Sequence, residues 1–63
     1  MTSAEVIRIL TEDGWEYVGT SGSHWHFKHP AKPGKVTVPH PRREVPIGTL
    51  WSVWKQAGLP KRR

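Results

Sequence analysis

The sequence contains no cysteine, which excludes disulfide bonds and thiolate zinc sites. It has no apolar run near the roughly 20 residues that span a bilayer, and its first residues lack the basic start and apolar stretch of a signal peptide. Acidic residues are also scarce, with five Asp and Glu against ten Lys and Arg. These absences predict a cytoplasmic protein without a membrane segment. A length of 63 residues predicts a single domain over residues 1–63 with a small core.

The positive charge is concentrated in one part of the chain. Residues 1–20 include one basic and four acidic residues, whereas residues 21–63 include nine basic and one acidic residue, a net charge of +8. The four histidines also lie in this basic part: His24, His26, His29 and His40. A strong positive field attracts polyphosphates, usually nucleic acid. The alternative is that the charge serves solubility alone.

The first segment has the pattern of an amphipathic helix over residues 3–13. Thr2 and Glu5 have the spacing of a capping box, in which a hydroxyl and a carboxylate bond the first backbone N–H groups. Apolar residues then recur at helical spacing. Gly14 follows as the left-handed residue that commonly ends a helix.

A second helix is predicted over residues 47–57, because Gly58 and Pro60 follow it as stop signals. The pattern gives it a broad apolar face made of Ile47, Leu50, Trp51, Val53, Trp54 and Ala57. Residues 60–63 are predicted to form a solvated basic tail.

Three strand-like runs separate the two helices, at residues 15–20, 24–29 and 35–39. Their short connections and alternating polarity indicate an antiparallel sheet with one apolar and one polar face. The order predicts an α+β fold, α-β-β-β-α, with a three-stranded antiparallel sheet and both helices packed on one face.

The alternation in the second strand places histidines on the polar face. Successive side chains of a strand point to opposite faces, so burial of Trp25 and Phe27 exposes the residues between them. The polar face would then hold His24, His26 and Lys28, joined by Lys35 and Thr37 of the next strand.

Imidazole and ammonium groups on one face suit the cleavage of an RNA strand. Attack by a ribose 2′-hydroxyl on the adjacent phosphate needs a base, an acid and cations, and histidine can act as base or acid near neutral pH. One alternative is a zinc or nickel site formed by His24, His26 and His29, although no carboxylate other than distant Glu44 accompanies them. Another is that these histidines are ordinary surface residues. His40, between two prolines, is expected to order its loop.

Tryptophan is abundant for so short a chain, with four residues. We expect most of them, including Trp25, in the core, and one exposed tryptophan would be available to stack on a base.

Several sequence blocks follow one another in a specific order: Leu10 to Gly14-Trp15, Gly22-Ser23-His24, Lys28-His29-Pro30, Val36-Thr37-Val38-Pro39-His40-Pro41, Gly48-Thr49-Leu50 and Lys55-Gln56-Ala57-Gly58-Leu59. From about Ser3 to Leu59 the chain resembles the HicA family of toxin–antitoxin mRNA interferases. The resemblance implies a double-stranded-RNA-binding-like fold, endoribonuclease activity on mRNA without a metal cofactor, and a HicB-type antitoxin partner that covers the active site.

The resemblance also implies a role for His24, the histidine of the Gly-Ser-His motif, as the catalytic residue. Gly22 and Ser23 would shape its turn, and Ser23 and His26 are candidate assisting residues. The position after the motif histidine is often a second histidine in the family but is Trp25 here.

The basic residues predicted to bind RNA are Lys28, Lys32, Lys35, Arg42 and Arg43, and the charge distribution favours phosphate contacts over a merely solvated rim. The alternative function is a non-catalytic RNA-binding module of the same fold.

Overall fold

The computed structural model describes all 63 residues and has the order helix, three strands, helix. The elements are α1 (Ser3–Glu12), β1 (Glu16–Ser21), β2 (His24–Lys28), β3 (Val36–Pro39) and α2 (Ile47–Ala57). The strands form one antiparallel sheet with β2 in the middle. The predicted α+β fold is confirmed. Neither helix combines the length and the apolar character that crossing a bilayer requires.

The predicted capping box is present at the start of α1. The Thr2 hydroxyl accepts the Glu5 N–H at 3.1 Å, and the Glu5 carboxylate accepts the Thr2 N–H at 2.9 Å. Hydrogen bonding of the Thr2 backbone N–H, and also of the Thr2 side chain, to the Glu5 carboxyl lowers the pKa of that group. The helix ends at Glu12, one residue earlier than predicted, because Asp13 is the C-cap and Gly14 turns the chain with φ +104°.

The first strand is shifted by one residue from its predicted range, 15–20. Trp15 precedes it, because its N–H donates to the Leu10 carbonyl at 3.0 Å and its side chain is buried in the core. The strand extends to Ser21, which pairs with His24 across the turn. A bulge between Tyr17 and Gly19 shifts the register.

The other two strands are each one residue shorter than predicted. His29 leaves β2 because its imidazole bonds to the turn after α1: Nε2–H donates to the Asp13 carbonyl at 2.7 Å, and Nδ1 accepts the Ala31 N–H at 2.9 Å. Lys35 lies before β3, at the end of the proline- and glycine-containing loop.

The core lies between the two helices and one face of the sheet. Twelve buried apolar residues form a single cluster: Val6, Ile9, Leu10, Trp15, Phe27, Val36, Val38, Val45, Leu50, Val53, Trp54 and Ala57. Trp25 is not fully buried, contrary to prediction, but lies at the edge of the core between Tyr17 and His40. The apolar face of α2 is narrower than predicted, because Ile47 and Trp51 are 43% and 38% exposed.

The C-terminal tail is exposed, as predicted, but it is tied to α2. The Trp54 indole N–H donates to the Arg62 carbonyl at 2.8 Å, and the Lys61 ammonium lies 4.4 Å from the Trp51 ring centroid. The tail therefore lies against α2.

Candidate functional site

The sheet face opposite the core has the polar composition that the alternation predicted. Residues paired across antiparallel strands share a face, and the register groups His24 with Ser21 and Pro39, and His26 with Gly19 and Thr37. This polar face therefore brings both histidines of β2 together with hydroxyl groups of the neighbouring strands.

His24 lies at the end of this face, where it lines a groove. The groove has a volume of about 410 Å³ and runs between the end of the sheet and α2, within the range of small-ligand sites. Six of its ten lining residues have polar side chains, and the full lining consists of His24, Thr37, Pro39, Arg42, Pro46, Gly48, Thr49, Ser52, Val53 and Gln56. We call it the His24 groove. It contains no carboxylate, so it suits an anionic ligand.

The His24 ring makes no hydrogen bond within the chain, and it differs in this from the other three histidines. His26 contacts the Thr37 hydroxyl at 3.0 Å through Nδ1 and the Ser21 hydroxyl at 3.4 Å through Nε2. His29 and His40 also use ring nitrogens in bonds to the fold. Both nitrogens of His24 are therefore free to exchange protons with a ligand in the groove.

A small polar cluster holds the turn before His24 and the loop after β3. The His40 backbone N–H donates to the Ser23 carbonyl at 2.8 Å, and His40 Nδ1 lies 2.7 Å from the Ser3 hydroxyl. The same hydroxyl accepts the Arg42 N–H at 2.8 Å. Ser3 is 1% exposed, so this cluster fixes Arg42 beside the groove and supports the Gly-Ser-His turn.

The predicted RNA-binding residues occupy different places. Arg42 lines the His24 groove, whereas Lys28, Lys35 and Arg43 are exposed on the surface outside it. Lys28 ends β2 on the polar face.

Lys32 lies away from the polar face. Its ammonium donates to the Asp13 carboxylate at 2.6 Å and to the Ala57 carbonyl at 3.1 Å. This hydrogen bond from Lys32 lowers the pKa of the Asp13 carboxyl. A cation near the ends of both helices is favoured by their dipoles, so Lys32 joins the helix ends and does not reach the groove.

The zinc or nickel site considered as an alternative is not formed in the structure, because its three histidines do not come together. His29 is bound to Asp13 and Ala31, away from His24 and His26. No three His, Asp or Glu side chains come together as a potential metal-binding group.

One wall of the groove comes from residues that the sequence analysis did not select. Thr49, Ser52 and Gln56 lie on one stripe of α2 and face the sheet end. The Gln56 side-chain oxygen also accepts the Thr37 N–H at 3.2 Å, which gives this backbone group of the edge strand β3 a partner. The spacing i, i+3, i+7 indicates in the sequence that these polar residues share one face of a helix. Nothing local in the sequence places that face beside His24.

Two of three comparisons with known proteins gave a match. The family model described as the HicA toxin of bacterial toxin–antitoxin systems matches residues 3–59. No curated protein matches the chain. A chain from a solved "HicA3 and HicB3 toxin-antitoxin complex" is 30% identical, with a TM-score of 0.82, and the match covers 98% of this chain and 100% of that chain. The chain therefore belongs to the HicA toxin family.

Proposed function

We propose that this HicA-family protein is an endoribonuclease that cleaves mRNA without a metal cofactor and uses His24 as a general acid or base. The observation that carries the proposal is the free His24 imidazole at the mouth of a polar groove that also presents Arg42. Membership of a toxin family supports it.

The reaction proceeds by attack of a ribose 2′-oxygen on the adjacent phosphorus. The O2′–P bond forms, the P–O5′ bond breaks, a base takes the 2′-hydroxyl proton, and an acid protonates the departing 5′-oxygen. His24 performs one of these proton transfers. Water performs the other, because no further imidazole or carboxylate lines the groove. A single positioned proton-transfer group implies a slow enzyme.

The scissile phosphate is held by positive charge at the groove. Arg42 can bind its oxygens with two parallel N–H donors. Pro46, Gly48 and Thr49 at the start of α2 line the same groove, and the positive end of the helix dipole favours an anion there. Lys28, Lys35 and Arg43 are placed to contact phosphates further along the strand. His26 has a supporting role, because its two ring nitrogens face hydroxyl groups of the sheet.

The natural inhibitor in this proposal is a HicB-type antitoxin. The structural relative is part of a HicA–HicB complex, and residues 21–63 here have a net charge of +8. An acidic face of the antitoxin would cover His24 and compete with RNA, and association would be fast and sensitive to salt. Protection of His24 and Arg42 from hydrogen exchange or chemical labelling in the complex is expected. A partner that left His24 open would have to inhibit allosterically.

The nuclease is tested by cleavage of a labelled RNA in the presence of a chelator. The wild type should cleave, and His24→Ala should lose about 10²- to 10⁴-fold in rate while its melting temperature stays unchanged, because the side chain is exposed. Val18→Ala is the matched control, since this exposed and uncharged residue lies on the sheet outside the groove. RNA binding without any cleavage by the wild type would instead establish the non-catalytic module.

A further inference from the structure

A second groove lies on the outer side of α2. It has a volume of about 440 Å³ and is lined by Gly48, Trp51, Ser52, Lys55, Leu59 and Lys61. We call it the Trp51 groove. Trp51 is 38% exposed and takes no part in the hydrophobic core, unlike Trp15 and Trp54. Burial in the core therefore does not explain a tryptophan at this position.

The two grooves are adjacent. Gly48 and Ser52 line both of them and lie one turn apart on α2. Both residues are small, so they form a low divide, and a Cβ atom added at Gly48 would meet nothing within 4 Å. An extended ligand bound beside His24 can cross this divide and reach Trp51.

The charge around the Trp51 groove matches a phosphate backbone. Lys55 and Lys61 line it, and neither forms an ion pair with a carboxylate. No acidic residue lines either groove. The Lys61 ammonium lies over the Trp51 ring, 4.4 Å from its centroid.

We propose that Trp51 is a base-stacking subsite for single-stranded RNA that runs from the His24 groove across Gly48 and Ser52; this inference rests on the proposed function. A stacked base is worth more than a cation–π contact at an exposed site, so the base displaces Lys61 from the indole. The Lys61 ammonium then binds the neighbouring phosphate. Stacking accepts every base, so this subsite adds affinity without sequence preference.

The test measures the affinity of labelled single-stranded RNA in a His24→Ala background, where the RNA stays intact. Trp51→Ala should weaken binding by about 5- to 150-fold, whereas Trp51→Phe should retain most of the affinity because it keeps a stacking face. Ile47→Ala is the matched control, because Ile47 is an exposed apolar residue of the same helix that lines neither groove. The RNA affinity of this control should equal that of the parent protein, which carries His24→Ala alone.

A second variant tests the path between the grooves. Gly48→Leu places a bulky side chain on the divide, in a space that the fold leaves open. It should weaken RNA binding and make it insensitive to Trp51→Ala, because the strand can no longer reach the indole.

The outcomes separate this inference from the proposed function. Equal RNA affinities of the parent and Trp51→Ala, with a wild type that cleaves RNA, would overturn the subsite and leave the nuclease standing. Failure of the wild type to bind or cleave RNA would refute the proposed function itself. If Trp51→Ala weakened binding of a HicB-type partner and left RNA binding unchanged, the Trp51 groove would be a protein interface and the inference would be wrong.

Discussion

Replacement of Ser3 by alanine removes one oxygen atom and should nevertheless destabilise the protein. Ser3 is 1% exposed, and its hydroxyl contacts His40 Nδ1 at 2.7 Å and the Arg42 N–H at 2.8 Å. In Ser3→Ala both of these groups lose their partner. The Ser3 hydroxyl also donates to the Arg42 carbonyl at 3.2 Å, but this carbonyl keeps a partner because it accepts the Ser3 backbone N–H at 2.9 Å.

The size of the effect follows from what each group can do after the change. Both hydrogen bonds are part-buried, so in Ser3→Ala the His40 ring and the Arg42 N–H face a methyl group. One unsatisfied polar group costs about 1–3 kcal/mol. A chain of this length has a total stability of only about 3–9 kcal/mol. Since 1 kcal/mol shifts the melting temperature of a domain this small by about 4–8 °C, a loss of about 2 kcal/mol lowers it by about 8–16 °C.

Thermal unfolding followed by circular dichroism measures this difference directly. Ser52→Ala is the matched control, because Ser52 is an exposed serine of the other helix whose hydroxyl makes no hydrogen bond within the chain. Its unfolding free energy should change by no more than about 0.5 kcal/mol. A Ser3→Ala protein that melts together with Ser52→Ala would refute the reasoning, since the cluster of Ser3, His40 and Arg42 would then contribute nothing.

Three further predictions concern the groove and the ion pair. His26→Ala should lower the rate of RNA cleavage less than His24→Ala does; equal losses would show that the two histidines act as a pair. If about four basic side chains contact phosphates, the log–log slope of RNA affinity against salt should be about −3, roughly a 50-fold loss between 50 and 200 mM, and a flat response would contradict phosphate binding. Lys32 holds the pKa of Asp13 below its ordinary value, so this ion pair stabilises the fold above about pH 4 and its contribution is lost as the pH falls through the lowered pKa. The melting temperature of the wild type should therefore fall relative to Asp13→Asn on acidification below pH 4, and a constant difference from pH 6 to pH 3 would contradict this.

The elements could be predicted because their signals are local. The capping box of Thr2 and Glu5 and the glycine after each helix identify the helix ends within one residue. The ends of the strands depend on contacts that are distant in sequence. His29 looks like a continuation of its strand, but its imidazole bonds to Asp13, sixteen residues away.

The candidate site was predictable only in part, for the same physical reason. Alternation placed His24, His26 and Thr37 on one face because side-chain direction in a strand follows from the backbone alone. The second wall of the groove depends on how α2 packs beside β3, which no local pattern specifies. The positive charge of a residue also does not predict whether it lies at the site. Arg42 lines the groove, whereas Lys32 forms an ion pair with Asp13.

The four histidines show why a site of this kind needs the fold as well as the pattern. Alternation gives His24 and His26 the same environment, since both point to the polar face. Three of the four imidazoles hold parts of the structure together: His26 bonds the hydroxyls of neighbouring strands, His29 bonds the turn after α1, and His40 bonds Ser3. His26 and His29 use both ring nitrogens in such bonds, so either must break a native hydrogen bond before it can exchange a proton with a substrate. His40 uses only Nδ1, but it lies outside the His24 groove. His24 has no such bond to break, and the turn that carries it is fixed through the Ser23 carbonyl. His24 is also the one histidine of the four that lines the groove with Arg42, and for these two reasons the proposed proton transfer to a phosphate ester is assigned to it.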